Sequence, residues 1–202
     1  MKTLDFAFQR ELAGGLLVCG VDEAGRGPLA GPVAAAACIL PDGIVIESLN
    51  DSKKLSGKRR EELDKEIREK AIAFCVASSS VEEIDSMNIL EATLLAMRRA
   101  VDGLAVKPEM LLIDGNISRS FSLPARAVIG GDAKCPSIAA ASILAKVWRD
   151  RYCLTLDEKY PEYGFSSHKG YGTKTHIEAL RRLGPTPDHR ALFVRKILEK
   201  DI

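Results

Sequence analysis

Residues 20–27 read Gly20-Val21-Asp22-Glu23-Ala24-Gly25-Arg26-Gly27, and the apolar run that enters them, residues 16–21, stops at two adjacent acids and a glycine-rich turn. A short apolar run halted by glycine reads as a strand. The same grammar recurs twice downstream. Residues 110–113 run into Asp114-Gly115, and residues 126–129 run into Gly130-Gly131-Asp132.

Working outward, residues 33–40 form a second apolar run. Pro41-Asp42-Gly43 then marks a turn, and residues 44–47 look strand-like, so a hairpin or meander is predicted. Ser56 offers an N-cap for an amphipathic helix over residues 57–71, with Leu63 and Ile67 on its apolar face. Residues 72–79 read as a strand. Residues 88–103 read as a helix closed by Gly103, and a long helical pattern runs from Ser137 to about Tyr160. Two more helical segments fall at residues 175–183 and 188–200. Strands first, then strands alternating with helices, give an α/β class with a mixed β-sheet flanked by helices. Residues 1–160 should form the catalytic domain. Residues 161–202 should add a C-terminal helical extension that completes the substrate surface within one structural unit.

Composition narrows the function. A chain of 202 residues, 46% apolar and 28% charged, can bury an ordinary core, which excludes a disordered or fibrous protein. The net charge of +1 does not attract a polyanion in bulk, so any nucleic-acid contact must come from a local basic face. Charges at Asp5, Arg10 and Glu11 break the first fifteen residues, unlike a signal peptide, and no apolar stretch could span a bilayer. A cytoplasmic location with no membrane contact is expected. The five cysteines are scattered without a C-x-x-C pair, which argues against zinc and against disulfides.

Asp22, Glu23, Asp114 and Asp132 all stand where a strand meets glycine, the place in an α/β sheet where ligand sites collect. Singly, each Asp beside a glycine is an ordinary turn residue. Together, carboxylates would repel one another unless a hard cation such as Mg²⁺ or Mn²⁺ joined them. Two such ions ~4 Å apart suit in-line phosphoryl displacement without a protein nucleophile. Adjacent residues on a strand face opposite ways, so Asp22 and Glu23 can converge only if the strand ends or bulges at Glu23. A rival reading takes Gly25 to Ala30 as G-x-G-x-x-[GA], with Glu47 about twenty residues on, which would make the chain a dinucleotide-binding oxidoreductase. Acids beside the pyrophosphate, and Gly31-Pro32 where a helix should start, oppose it. Residues 25–27 instead offer a bare backbone that could read a 2′-hydroxyl.

The chain resembles the bacterial ribonuclease HII family. The matching segments are residues 20–33, Asp51-Ser52-Lys53-Lys54-Leu55, Ile113-Asp114-Gly115, residues 130–134, residues 137–146, Arg149-Asp150-Arg151, residues 168–174 and residues 184–190. The resemblance implies an RNase H-like fold and an endonuclease that cuts RNA in RNA–DNA hybrids. It also implies incision on the 5′ side of single ribonucleotides in duplex DNA, leaving 3′-hydroxyl and 5′-phosphate ends. It makes Asp22, Glu23, Asp114 and Asp132 the catalytic metal ligands for Mn²⁺ or Mg²⁺. It assigns sugar reading to Gly25, Arg26 and Gly27, stacking on the next deoxyribose to Tyr171, and phosphate contacts to Lys53 and Lys54. The sibling ribonuclease HIII family usually differs at the Arg26 position and has an extra N-terminal domain.

Other groups read more plainly. Lys58, Arg59 and Arg60 look like a solvated face, while Lys169, Lys174, Arg181 and Arg182 could extend a basic surface. The small residues over 137–146 should let a helix pack closely on the sheet. His168, His176 and His189 look like surface or capping groups, and Trp148 like packing. The protein is expected to act as a monomer, and its tail carries no clear sliding-clamp motif.

Overall fold

The computed structural model describes residues 4–50, 52 and 55–199. Along the chain these form α1 (Ala7–Ala13), β1 (Val18–Ala24), β2 (Val33–Ile39), α2 (Gly57–Lys70), β3 (Ala73–Ser79), α3 (Val81–Met87) and α4 (Ile89–Asp102). They continue with β4 (Met110–Asp114), β5 (Ala125–Val128), α5 (Pro136–Lys159), α6 (Phe165–His168), α7 (Lys174–Leu183) and α8 (Ala191–Leu198). The five strands make one mixed sheet in the order β3-β2-β1-β4-β5. The β1–β2 and β2–β3 pairs are antiparallel, and the β1–β4 and β4–β5 pairs are parallel.

Both faces of the sheet are covered. Ala36 and Cys38 of β2 pack with α2 and α5, while Val33, Ala35, Ala37 and Ile39 pack with α4. All seven side chains of β2 are buried, so this strand reads as a continuous apolar run and not as an alternating one. Small residues set the spacing between layers. A Cβ on Gly20 would lie 2.1 Å from the Ser137 carbonyl carbon, so the start of α5 rests directly on the β1 backbone.

The local signals behind most helices are visible. Ser56 caps α2 by accepting the Arg59 N–H, and Asn88 caps α4 by accepting from Leu90 and Glu91. α3, which the sequence reading missed, has a full capping box between Ser80 and Glu83.

Three expectations need correction. Residues 44–47 form no strand, because β3 already pairs with β2 from Val33↔Ser79 to Ile39↔Ala73. That segment instead drops Ile46 into the core and leaves Val45 exposed. The last helix begins at Ala191 and not at residue 188, since Ala30 and His189 form a β-bridge and the Asp188 carboxylate is taken up by Tyr152, Lys159 and Tyr160. Finally, β1 neither ends nor bulges at Glu23. Its ladder with β2 continues regularly through Asp22↔Ala36, Glu23↔Ala35 and Ala24↔Ala34.

Candidate active site

Asp22, Glu23 and Asp114 come to one rim of the sheet by a different device from a bulge. The parallel ladder between β1 and β4 runs from Val18↔Met110 to Val21↔Ile113 and then stops. Asp22 and Glu23 are the next residues on one strand, and Asp114 is the next on the other. Asp22 turns toward α5, and Glu23 toward α4. Asp114 stands at the gap between them, so it lines both a cavity of about 220 Å³ with Asp22 and Glu23 and a cavity of about 140 Å³ with Glu23. Asp22 and Glu23 leave opposite faces, and among the described residues no three His, Cys, Asp or Glu side chains are grouped to hold one ion.

Local hydrogen bonds orient the acids. Asp22 accepts the Glu23 N–H at 2.7 Å. Asp114 accepts the Gly131 N–H at 2.7 Å, and a side chain on Gly131 would strike Ile138. Asp132, buried in the 3₁₀ turn Gly131–Ala133, is thus one residue from a group bonded to Asp114, although it lines neither cavity. Burial first, then the charges of Glu23 and Asp114, hold the Asp22 carboxyl well above the usual carboxylate range. An all-oxygen donor set under mutual repulsion fits a hard divalent cation.

The larger cavity also collects Gly25, Arg26, Gly27 and Tyr171. Gly25 has φ +98°, and a Cβ there would lie 2.0 Å from Arg149 Nε, so only glycine fits. Gly27 faces the Tyr171 ring, with its Cβ position 3.5 Å from Cε1. Arg26 is half exposed and lies 3.7 Å from Glu23. Residues 25–32 lead into β2 and not into a helix, which removes the phosphate-holding helix N-terminus that dinucleotide binding requires.

The ribonuclease HII family model matches residues 19–197. The chain belongs to the ribonuclease HII family. It is 59% identical to the ribonuclease HII of Albidiferax ferrireducens over 177 residues, which span 88% of this chain and 86% of that relative. Ribonuclease H2 from Pyrococcus horikoshii has a similar structure, with a TM-score of 0.74 at 29% identity over 91% of this chain and 97% of that one. The fold is shared further with a ribonuclease HIII solved in complex with Mn²⁺, at a TM-score of 0.73 and 18% identity over 94% of this chain and 71% of that one. The mixed sheet is therefore the RNase H-like fold. As a ribonuclease HII, the protein is a type 2 ribonuclease H endonuclease acting on RNA–DNA hybrids.

Ser142 and Arg149 of this ribonuclease HII cavity received no role from the sequence. Ser142, Lys146 and Arg149 line it at helical spacing along one face of α5, a periodicity that could have flagged them. The close packing read into residues 137–146 applies to Ser137 against Gly20, whereas Lys146 reaches the cavity and pairs with Asp150 at 2.5 Å. Arg60 is not part of a solvated face. It donates to the carbonyls of Ser52 and Leu55 and to Asp150. Lys53 and Lys54 themselves lie outside the described residues.

The histidines are not surface groups either, for all three are buried in one aromatic cluster. Thr186 N–H donates to His189 Nδ1, so His189 donates from Nε2 to His176 Nε2, and His176 donates from Nδ1 to the Tyr171 carbonyl. Burial pushes both His176 and His189 down to about 4. None of the three lines the cavity. The cluster's visible work is to hold the backbone that carries Tyr171.

Among the described residues no helix is long and apolar enough to cross a membrane.

Proposed function

We propose that the protein hydrolyses the RNA strand of RNA–DNA hybrids and nicks duplex DNA on the 5′ side of embedded ribonucleotides, leaving 3′-hydroxyl and 5′-phosphate ends. The observation that carries this reading is one cavity shared by Asp22, Glu23, Asp114, Gly25, Arg26, Gly27 and Tyr171. Acids suited to cations and a bare backbone suited to a sugar lie side by side, which is what cleavage next to a ribose requires.

Asp22, Glu23, Asp114 and Asp132 would hold two divalent cations, Mn²⁺ or Mg²⁺. When bound, such ions supply an activated water and stabilise the leaving oxygen of an in-line phosphoryl displacement. The chain's own residues do the rest. The backbone of residues 25–27 meets the 2′-hydroxyl, a group that both donates and accepts. The Tyr171 ring, half exposed beside Gly27, stacks against the following deoxyribose and favours an RNA-to-DNA junction. Lys146 on the cavity wall, together with Lys53 and Lys54, contacts phosphates without reading sequence. Residues 161–202, which bring in Tyr171, complete the substrate surface.

The test is a labelled DNA duplex containing one ribonucleotide, incubated with and without Mn²⁺ or Mg²⁺. One nick, 5′ to the ribonucleotide and dependent on metal, is expected, while an all-DNA duplex stays whole. Undiminished cutting in excess chelator would remove the metal reading. Equal cutting of both duplexes would remove the sugar reading.

A further inference from the structure

Two arginines lie buried beneath residues 25–32, Arg149 1% exposed and Arg190 0% exposed. Among the described residues, each hydrogen bond from their guanidinium groups ends on a backbone carbonyl, apart from one to Cys153 Sγ. Arg190 alone reaches the carbonyls of Gly25 at 2.6 Å, Arg26 at 3.0 Å, Pro28 at 2.8 Å, Gly31 at 2.9 Å and Pro32 at 3.2 Å. Burial, and then the charge of Arg149, work against the charge on Arg190, so the site holds this cation at a cost.

We propose that Arg190 is a positioning residue for sugar recognition, acting through the carbonyls of Gly25 and Arg26. A trans peptide points its C=O and the following N–H in opposite directions. With the Gly25 and Arg26 carbonyls drawn down onto Arg190, the N–H groups of Arg26 and Gly27 face the other way, on the side where residues 25–27 line the cavity. Two neighbouring N–H groups aimed at one point suit an oxygen acceptor, which a 2′-hydroxyl supplies and a deoxyribose does not. The planar fork of arginine is needed because five carbonyls are spread across it. Lysine keeps the charge but has three donors on one nitrogen and cannot span them. Arg190 sits at the start of α8, far along the chain, so the sugar reader takes its shape from the C-terminal segment.

This rests on the sugar-reading role given above to residues 25–27, and the test separates the two. Binding of two matched duplexes, one all-DNA and one with a single ribonucleotide, is measured by fluorescence anisotropy in chelator, with a thermal melt of each variant. The wild type should prefer the ribonucleotide duplex. Arg190→Lys should lose about tenfold of that preference, the effect of misplacing two hydrogen bonds, while its affinity for all-DNA duplex stays within about twofold. A role in folding alone would weaken both duplexes together, and that result, or an unchanged preference, overturns the proposal. If Arg190→Lys does not fold, Gly25→Ala repeats the test from the loop side, since its Cβ would collide with Arg149 and turn the 25–26 peptide while Arg190 stays intact. An unchanged preference in Gly25→Ala overturns the proposal too. A wild type with no preference at all would instead remove the sugar-reading role itself.

Discussion

Asp22 and Glu23 sit on a strand flanked by β2, whose partners opposite them are alanines, and backed by a helix close enough to forbid a side chain at Gly20. A few residues later the chain has left the five-stranded sheet, and residues 25–32 are held by the Ala30–His189 bridge and by two guanidinium groups. The strand that carries the acids is placed by shape, through close packing of small apolar groups. The reading loop is placed by polarity, through hydrogen bonds that one side chain can break. The same site thus has a rigid half that tolerates no change of volume and a half that tolerates no change of donor geometry.

The contrast can be broken at the rigid half first. Asp114→Asn keeps an oxygen to accept the Gly131 N–H while removing the charge. We expect nicking of the ribonucleotide duplex to fall by about 10³-fold or more with the melting temperature nearly unchanged. A variant that still nicks at a comparable rate would take Asp114 out of the chemistry. Next, Gly20→Ala drives a methyl into the Ser137 backbone and should cost about 3 kcal/mol in urea unfolding, at the upper end for overpacking. A cost below about 0.5 kcal/mol would mean that α5 moves aside freely, and shape would not be what places the acids.

The polar half has its own signature. In the folded chain His176 and His189 are pushed down to about 4, against about 6.5 when unfolded. The unfolded chain therefore takes up protons that the folded chain refuses. Stability present above pH 6.5 is lost as pH falls toward 4, by up to about 3 kcal/mol for each histidine. Melting temperatures between pH 7 and 4.5 should fall more steeply for wild type than for His176→Gln, and parallel slopes would clear the histidine cluster of this role. The smallest effect belongs to Tyr171→Ala. Its half-exposed ring should move stability by no more than about 0.5 kcal/mol. Cleavage at an RNA-to-DNA junction should slow by about tenfold, in line with loss of one stacking contact.

How much of this the sequence reveals depends on how local the cause is. The strands at residues 18–24 and 110–114 follow from apolar runs stopped by glycine, and α2 and α4 from caps at Ser56 and Asn88. The four carboxylates stand out for the same reason. Residues 44–47 mislead because strand propensity does not say which sheet edge is free, and only the later β3 settles that. The convergence of Asp22 and Glu23 was legible as a problem, not as its solution, which lies in where the β1–β4 ladder stops. Arg149, Arg190 and Arg60 were opaque, since a charged residue reads as surface and their partners are carbonyls distant in the chain.

The split orientation of Asp22 and Glu23 has one more consequence. Both also line one cavity where the β1–β4 ladder ends, so a ligand joining them sits at the rim of the sheet. A site at a sheet rim lets an uninterrupted polymer be laid across it sideways and cut in mid-length. An enzyme that grips internal positions, with no terminus to thread, is what such an edge allows.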